Sequence, residues 1–505
     1  MATDETLRIL AELGQQVSGL MQRVEKLEAE NAELKAENAE LKAENAELKA
    51  ENAELKAENK ALRELLNQQG KAKASKTPTF SEDYSVERNQ GKPKSKRGKQ
   101  ATGRRPHHLK LELVDKHVTL YEPGVSQTAC VERGVQYGWR LVGGQAKYIC
   151  YHLYALPQSS AVPTVAGLRT RQSEYGREII LTVAFLHYWT GISLDHVCSV
   201  MQFFTGLALS KSQANALLNQ LSDDWDEQYD TIAELLSRQL VIYIDETGWR
   251  VGSDSCYTWA FSSAMHVLFR CGVGRGKAEA EAILGDAFMG IGVTDDYGAY
   301  RALFLEHQLC WAHLLRKAIK LMLQHPDEVA YKRFLDELYA IYQQAIRWQK
   351  DQRLTVGRGE KIILLQDRIC ELCELSDSEI DSKTMSTHEQ SFIRLQKELI
   401  RGLDALFVFV AHPEVEPTNN RSERNVRHEA MVRKGGRTSK SQSGATRRGV
   451  IMTVLATLNT RLEAFTLNQL IDEIKQWTQD GLSRFQEELA ALGKALPPPI
   501  TAQMV

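Results

Sequence analysis

Residues Leu240–Gly252 read LVIYIDETGWRVG. Five apolar, partly β-branched residues run directly into Asp245 and Glu246, and such a run predicts a buried strand. A carboxylate inside a buried strand is costly unless it is paired or binds a metal. Alternation along the strand sends Asp245 to one face and Glu246 to the other. Two further strand-like runs follow, Cys256–Ser263 (CYTWAFSS) and His266–Cys271 (HVLFRC). A helical segment, Lys277–Leu284, comes next, and then Met289–Asp296 (MGIGVTDD), another apolar run that ends in acid.

The order strand, strand, strand, helix, strand matches the ribonuclease H-like fold, in which the first and fourth strands lie side by side. An aspartate from the first strand, Asp245, and one from the acidic end of the fourth then meet. Carboxylates held close repel one another unless cations sit between them, which suits a two-metal site for phosphoryl transfer. A third acid, Glu423, lies in Pro417–Arg427 (PTNNRSERNVR) and opens a strongly cationic stretch. Residues 421–448 hold nine cations, among them Arg421, Arg424, Arg427, Arg433, Lys434, Arg437 and Lys440, against Glu423 and Glu429 alone. A metal-dependent nucleic-acid enzyme needs this combination, cations for phosphates and a carboxylate for the metal. The competing reading is a surface helix in which Glu423 neutralises Arg427 four residues on.

Outward from this core the chain is uneven. Its 505 residues carry 63 Lys and Arg against 65 Asp and Glu, a balance that excludes a uniformly basic packaging protein. Apolar residues make up 43%, enough for a sizeable core. The near-zero charge conceals opposed blocks. Residues 29–56 are four copies of AENAELK, with leucines from Leu13 to Leu62 at heptad position d and Asn31, Asn38, Asn45, Asn52 and Asn59 at position a. Apolar d with polar Asn at a specifies a parallel dimer, and Glu37 at g faces Lys42 at the next e with opposite charge. We expect a parallel dimeric coiled coil over residues 8–68.

Residues 69–110 form a flexible basic linker: Lys71–Lys110 contains twelve cations and three acids, broken by Pro78, Pro93 and Pro106. Its functional reading is contact with the phosphate backbone, its bland one a solubilising tether. A basic-zipper transcription factor is disfavoured, because there the basic helix precedes the zipper. Residues 111–160 predict a small β-rich module. Cys130, Cys150 and His152 suggest zinc, but no paired C-x-x-C supports a four-ligand site, and packing roles are preferred. Residues 161–238 are helical by period. Leu194–Phe204, a break at Gly206 and Ser210–Leu221 read as a helix-turn-helix or as ordinary helix packing.

The chain resembles transposases of the insertion sequence 66 family over roughly residues 10–490. The blocks that carry the resemblance are IDETG around Asp245, then Asp295 with Tyr297 and Tyr300, then Cys310–Arg316 (CWAHLLR). They continue with Thr418-Asn419-Asn420 through Glu423-Arg424 and with Arg433–Ala445 (RKGGRTSKSQSGA). The resemblance implies an Asp-Asp-Glu catalytic and metal-binding triad of Asp245, Asp295 and Glu423, holding two Mg²⁺ ions that Mn²⁺ replaces. It implies cleavage at transposon ends and strand transfer into target DNA. It casts Cys310 and His313 as active-site support, with a buried Cys–His pair as the structural alternative, and Asp296 as a neighbour of the triad.

The division that follows is a ribonuclease H-like core at 239–310, a helical insertion at 311–410, the third acid and basic stripe at 411–460, and a helical tail at 461–505. The family commonly has a cysteine-rich zinc module between zipper and catalytic core. Here only Cys130 and Cys150 occupy that place, so no structural zinc is expected. Expected partners are double-stranded DNA, a second copy of the chain through the coiled coil, and helper proteins of the same element.

No run approaches 18 apolar residues, no secretory signal is visible, and the eight scattered cysteines fit a reducing compartment. The protein is therefore expected in the bacterial cytoplasm, associated with the nucleoid when bound to DNA. Two other functions fit parts of the pattern. One is a catalytically silent DNA-binding dimer such as a domesticated repressor. The other is a non-transposing nuclease of the same fold.

Overall fold

The computed structural model describes residues 113–160, 162–168, 174–285, 288–301, 303–354, 356–373, 386–479 and 481–494. The expected coiled coil and basic linker lie outside these residues. Among the described residues the fold is mixed α/β with two sheets, and no helix is long and apolar enough to cross a membrane.

The first sheet contains β1 (Lys116–Tyr121), β2 (Val131–Val142) and β3 (Gln145–Ala155) in the order β1-β3-β2. β2 and β3 form a hairpin, whereas β1 returns to pair parallel with β3. Gly143 and Gly144 both have positive φ at the hairpin tip, a conformation that suits glycine in a two-residue turn. Ile149, Tyr151, Val165 and Leu168 form a small core beneath this sheet. Helices α1 (Arg177–Ala184), α2 (Leu194–Thr205) and α3 (Lys211–Ser237) follow. Gly206 ends α2 in the left-handed region, and Ser210 starts α3 with a capping box completed by Gln213. The second helix of the expected pair is thus longer than the sequence suggested, running to Ser237.

The second sheet positions the acids. Its strands are β4 (Val241–Val251), β5 (Asp254–Ser262), β6 (Val267–Val273), β7 (Ile291–Thr294) and β8 (Glu306–Leu309), in the order β6-β5-β4-β7-β8. β4, β5 and β6 pair antiparallel, while β4, β7 and β8 run parallel. Helix α4 (Lys277–Leu284) makes the crossover to β7. The first and fourth strands are therefore neighbours.

Alternation along β4 divides the interior in two. Ile242 and Ile244 join Trp259 and Phe261 in a core shared with α3. Tyr243 joins Val293 and Leu309 in a second core. That second core is completed by α6 (Trp311–Gln324), α7 (Val329–Lys350), α8 (Arg358–Leu372), α9 (Thr387–Arg401) and α10 (Val408–Ala411). A short helix, α5 (Gly298–Arg301), follows β7. Cys370 and Cys373 belong to the α8 end, one exposed and one buried, with neither in a disulfide.

Two helices return to the sheet, α11 (Asn420–Lys434) and α12 (Gln442–Arg461). α11 lies on the Asp245 face, where β5 presents Ala260 and Ser262: the Ser422 hydroxyl donates to Ala260 O at 2.8 Å and Asn425 to Ser262 Oγ at 3.0 Å. Small residues allow this close approach. α12 covers the open edge of β6. Val267 N donates to Thr457 Oγ1 at 3.1 Å and Phe269 N to Thr453 Oγ1 at 2.9 Å. An unpaired strand edge is a liability, and two threonines one helical turn apart satisfy it. Helices α13 (Leu467–Gln479) and α14 (Arg484–Lys494) close the chain.

Candidate active site

The parallel pairing of β4 with β7 brings two acids to one sheet end. The register aligns Tyr243 with Val293, and Asp245 and Asp295 each lie two residues further along. Asp245 Oδ1 accepts from Glu246 N at 2.9 Å, and Asp295 Oδ1 accepts from Tyr297 N at 3.0 Å. Neither carboxylate takes a cation from the described protein residues. Burial pushes the Asp245 carboxyl up to about 8, reinforced by the negative charges of Glu246, Asp295 and, more weakly, Glu423. Asp295 and Glu423 are thus close enough to act on Asp245.

Glu423 reaches this end from the first turn of α11. Its partner is Arg316 of α6, which donates through Nη2 to both carboxylate oxygens at 2.7 and 2.9 Å. The i,i+4 pairing with Arg427 is not what holds it. Cys310 Sγ lies 3.8 Å and His313 Nδ1 3.4 Å from Glu423 Oε1, so Cys310, His313 and Glu423 present three ligand atoms to one point. Burial pushes the His313 imidazole down and the Cys310 thiol up, both toward the neutral form.

The three acids are set by the residues beside them. Asn419 Nδ2 donates to Ile244 O at 2.6 Å, next to Asp245, and Asn419 N donates to Cys310 Sγ at 3.1 Å. Cys310 N donates to Thr294 O at 2.9 Å, next to Asp295, and Trp311 N donates to Pro417 O at 3.0 Å. Cys310 and Asn419 therefore stitch β4, β7 and the start of α11 together. Sequence reasoning did not give Arg316 or Asn419 these parts. Both lie in the quoted blocks, but no spacing shows a bond across more than a hundred residues.

Glu246 points to the opposite face, as alternation requires. It pairs with Arg275 at 2.9 Å and accepts a short hydrogen bond from the Tyr300 hydroxyl. Asp296 is paired with Arg401 at 2.5 Å. Of the candidate DNA contacts, Arg424, Arg427, Lys434, Arg437 and Lys440 are exposed. Arg421 is engaged with Glu416 at 2.5 Å, and Arg433 donates to Gly248 O at 2.5 Å. Arg437 donates to Gly191 O. A cavity of about 430 Å³ opens between the helix pair and the α11–α12 loop, lined in part by Lys211, Asn215, Arg437, Lys440, Ser441 and Arg447.

An open sheet carrying acids at the ends of adjacent parallel strands belongs to the α/β proteins whose sites sit at strand termini. The particular class is given by a family profile described as Transposase IS66 family, which matches residues 172–447. That match covers more than half of the chain, and the chain belongs to this family of transposases. No curated protein matches it. A transposase acts on DNA.

Proposed function

We propose that the chain is a DDE transposase with a ribonuclease H-like core, cutting at transposon ends and joining them to target DNA in a divalent-metal-dependent reaction. The observation that carries this reading is the convergence of Asp245, Asp295 and Glu423, with the Asp245 carboxyl raised to about 8 by burial and neighbouring acids. Oxygen-only donors of this kind fit a hard cation, Mg²⁺ or Mn²⁺. Asp245, Asp295 and Glu423 would hold two such ions. When bound, these supply activation of water or a DNA 3′-hydroxyl and stabilisation of the leaving oxygen.

The chain's own residues do the rest. Arg316 holds Glu423 in place through a two-point ion pair, and Asn419 fixes the first turn of α11 against β4. His313, kept neutral, adds no positive charge beside the acids. The exposed Arg424, Arg427, Lys434 and Lys440 bind phosphates in double-stranded DNA without reading sequence. A parallel coiled coil over residues 8–68 pairs two protomers, which suits an enzyme that holds two transposon ends.

The test uses linear DNA carrying the flanks of the gene, with Mg²⁺, comparing wild type with Glu423→Gln. Discrete cuts leaving 3′-hydroxyls, lost in the variant and in chelator, are expected. Identical cuts by both proteins would overturn the triad. If neither protein cuts even with host extract added, while both bind the flanks, the silent DNA-binding reading replaces this one.

A further inference from the structure

Helix α11 carries Glu423 in its first turn and ends beside the cavity of about 430 Å³. One wall of that cavity comes from the α2–α3 pair and the other from the loop that joins α11 to α12. The loop is fastened to β4. Gly252 N donates to Ser439 O at 2.8 Å, Ser439 N to Arg250 O at 3.1 Å, and Trp249 Nε1 to Ser439 Oγ at 3.1 Å. The wall is therefore preformed.

Charge inside the cavity is unbalanced. Arg437, Lys440 and Arg447 line it, and none of the three forms an ion pair among the described residues. Arg437 donates to Gly191 O. Arg447 donates through Nε to the Tyr188 hydroxyl at 2.8 Å and through Nη1 to Asn215 Oδ1 at 2.9 Å. These acceptors are neutral, so they fix the guanidiniums without cancelling their charge. The lining holds a single carboxylate, Asp195, and Lys211 already occupies it at 2.7 Å. Arg448, also in the lining, is matched by Glu429. His187 registers the surplus: burial pushes its imidazole down to about 4, and the charges of Arg448, Arg447 and Arg437 push the same way.

The start of α12 adds to this field. Ser441 at its N-cap and Gly444 in its first turn line the cavity, and the helix runs for 20 residues behind them. Partial positive charge gathers at such an end. The Ser441 hydroxyl accepts from Gly444 N at 3.2 Å, and Gly444 has no side chain to obstruct the wall. Anchored guanidiniums beside a helix start suit a phosphate, whose oxygens match the planar fork of donors. The volume exceeds what a bare phosphate needs and leaves room for its ester group. On α11, the exposed Arg424, Arg427 and Lys434 lie along one side of the helix between Glu423 and the cavity.

We propose that this cavity is a phosphate-ester site, with Arg437, Arg447 and the first turn of α12 holding the anion and Lys440 at its mouth. The ester is a backbone phosphate of bound DNA. Because α2 and α3 supply one wall, the occupied site joins the helix pair to the catalytic sheet through one phosphate. The phosphate chemistry rests on the cavity alone, and only its DNA source rests on the transposase reading.

The test needs no cutting and is run in EDTA on the full-length chain, so the acids take no part in it. Lysine acetylation by a water-soluble N-hydroxysuccinimide ester, read by mass spectrometry, follows Lys440, with the exposed Lys332 of α7 as reference. The probes are linear duplex carrying the flanks of the gene and thymidine 5′-monophosphate. The duplex should protect Lys440 and spare Lys332. Protection by the mononucleotide alone would overturn the DNA source, and protection by neither would overturn the site.

Ser441→Asp and Ser441→Asn then separate charge from shape. Both residues cap helices about as well as serine, so thermal melts should match wild type. The aspartate places a carboxylate in the cavity and should weaken duplex binding roughly tenfold, with loss of Lys440 protection. The asparagine should do neither. Protection that survives Ser441→Asp would mean that DNA only covers Lys440, and it would overturn the site, as would equal losses in both variants. Absent cuts would count against the triad and an unprotected Lys440 against this cavity, so the two failures are told apart.

Discussion

Two buried carboxylates in this chain have opposite surroundings. Glu429 on α11 is fully buried, yet Arg448 of α12 meets it in a fork, Nε to Oε2 at 2.6 Å and Nη2 to Oε1 at 2.9 Å. Burial pushes Glu429 up, but the Arg448 charge and the His428 and Arg448 hydrogen bonds win and hold it down at about 2. Asp245 is also largely buried, but its charged neighbours are acids, and it is raised to about 8. The same fold therefore meets one internal acid with a guanidinium and surrounds the other with acids. The first is architecture, and the second is where the proposed metal site lies.

Breaking the matched pair gives the largest stability effect. Glu429→Gln leaves the buried Arg448 guanidinium without its anion and should cost about 3–5 kcal/mol of unfolding free energy, read by urea denaturation. Replacing both partners with apolar residues, Glu429→Met with Arg448→Leu, should recover most of that loss. Equal losses in the single and double variants would mean that packing, not charge, dominates at this contact.

Asp245 should behave in the reverse sense. In chelator, between its ordinary value of 3.8 and about 8, the folded state holds a proton that the unfolded chain has released. Stability attributable to this group therefore falls as pH rises across that window, by an amount on the order of a few kcal/mol. Glu429, with its folded value lowered to about 2, stabilises above its ordinary value of 4.5, and that contribution is lost as pH falls toward 2. Asp245→Asn should flatten the decline between pH 5 and pH 8 while abolishing DNA cutting. Thermal melts in EDTA that decline equally in wild type and variant would remove the electrostatic basis of the site.

The sequence announced the second acid environment better than the first. Asp245 interrupts five apolar residues, and a one-dimensional pattern makes that conspicuous. The strands β4 to β7 and the crossover helix were legible for the same reason, since each is a run with its own period. Glu429 sits among alternating charges on a polar helix, and its burial depends on α12 arriving from 19 residues further on. The strand β8 (EHQL) is too short and polar to show a period. The threonines that seal β6 resemble any others in a helix. Likewise, His117 joins Cys150 only because β1 pairs parallel with β3, a long-range choice that no local spacing encodes.

A smaller effect tests how the acids are aligned. Asn419→Ala removes the bond to Ile244 O, leaves that carbonyl short of a donor, and should cost about 1–3 kcal/mol. Because Glu423 lies one turn further along α11, DNA cutting should drop more than the stability loss explains. Cutting that falls only in proportion to folded protein would reduce Asn419 to a packing residue. Gly248 offers a related probe. A Cβ there would come 2.7 Å from Arg433 Nη1. Gly248→Ala should therefore displace the guanidinium that binds Gly248 O.

The smallest effect separates the cations of α11 and its following loop into two groups. Arg421 and Arg433 already bond to the protein, whereas Arg424 and Lys440 are exposed and make no ion pair among the described residues. If the exposed group meets phosphates, each neutralised contact lowers the dependence of DNA affinity on salt. Arg424→Gln and Lys440→Gln should each reduce the slope of log K against log salt by about one, with unchanged thermal stability. Arg433→Gln should lower stability by a kcal/mol or so, of order one lost hydrogen bond, and change the slope less. The two readouts move in opposite order for the two groups, so a structural cation cannot pass for a phosphate contact. A slope unchanged by Arg424→Gln and Lys440→Gln together would shift the DNA path away from this stripe, toward the cavity bordered by Lys211 and Arg447.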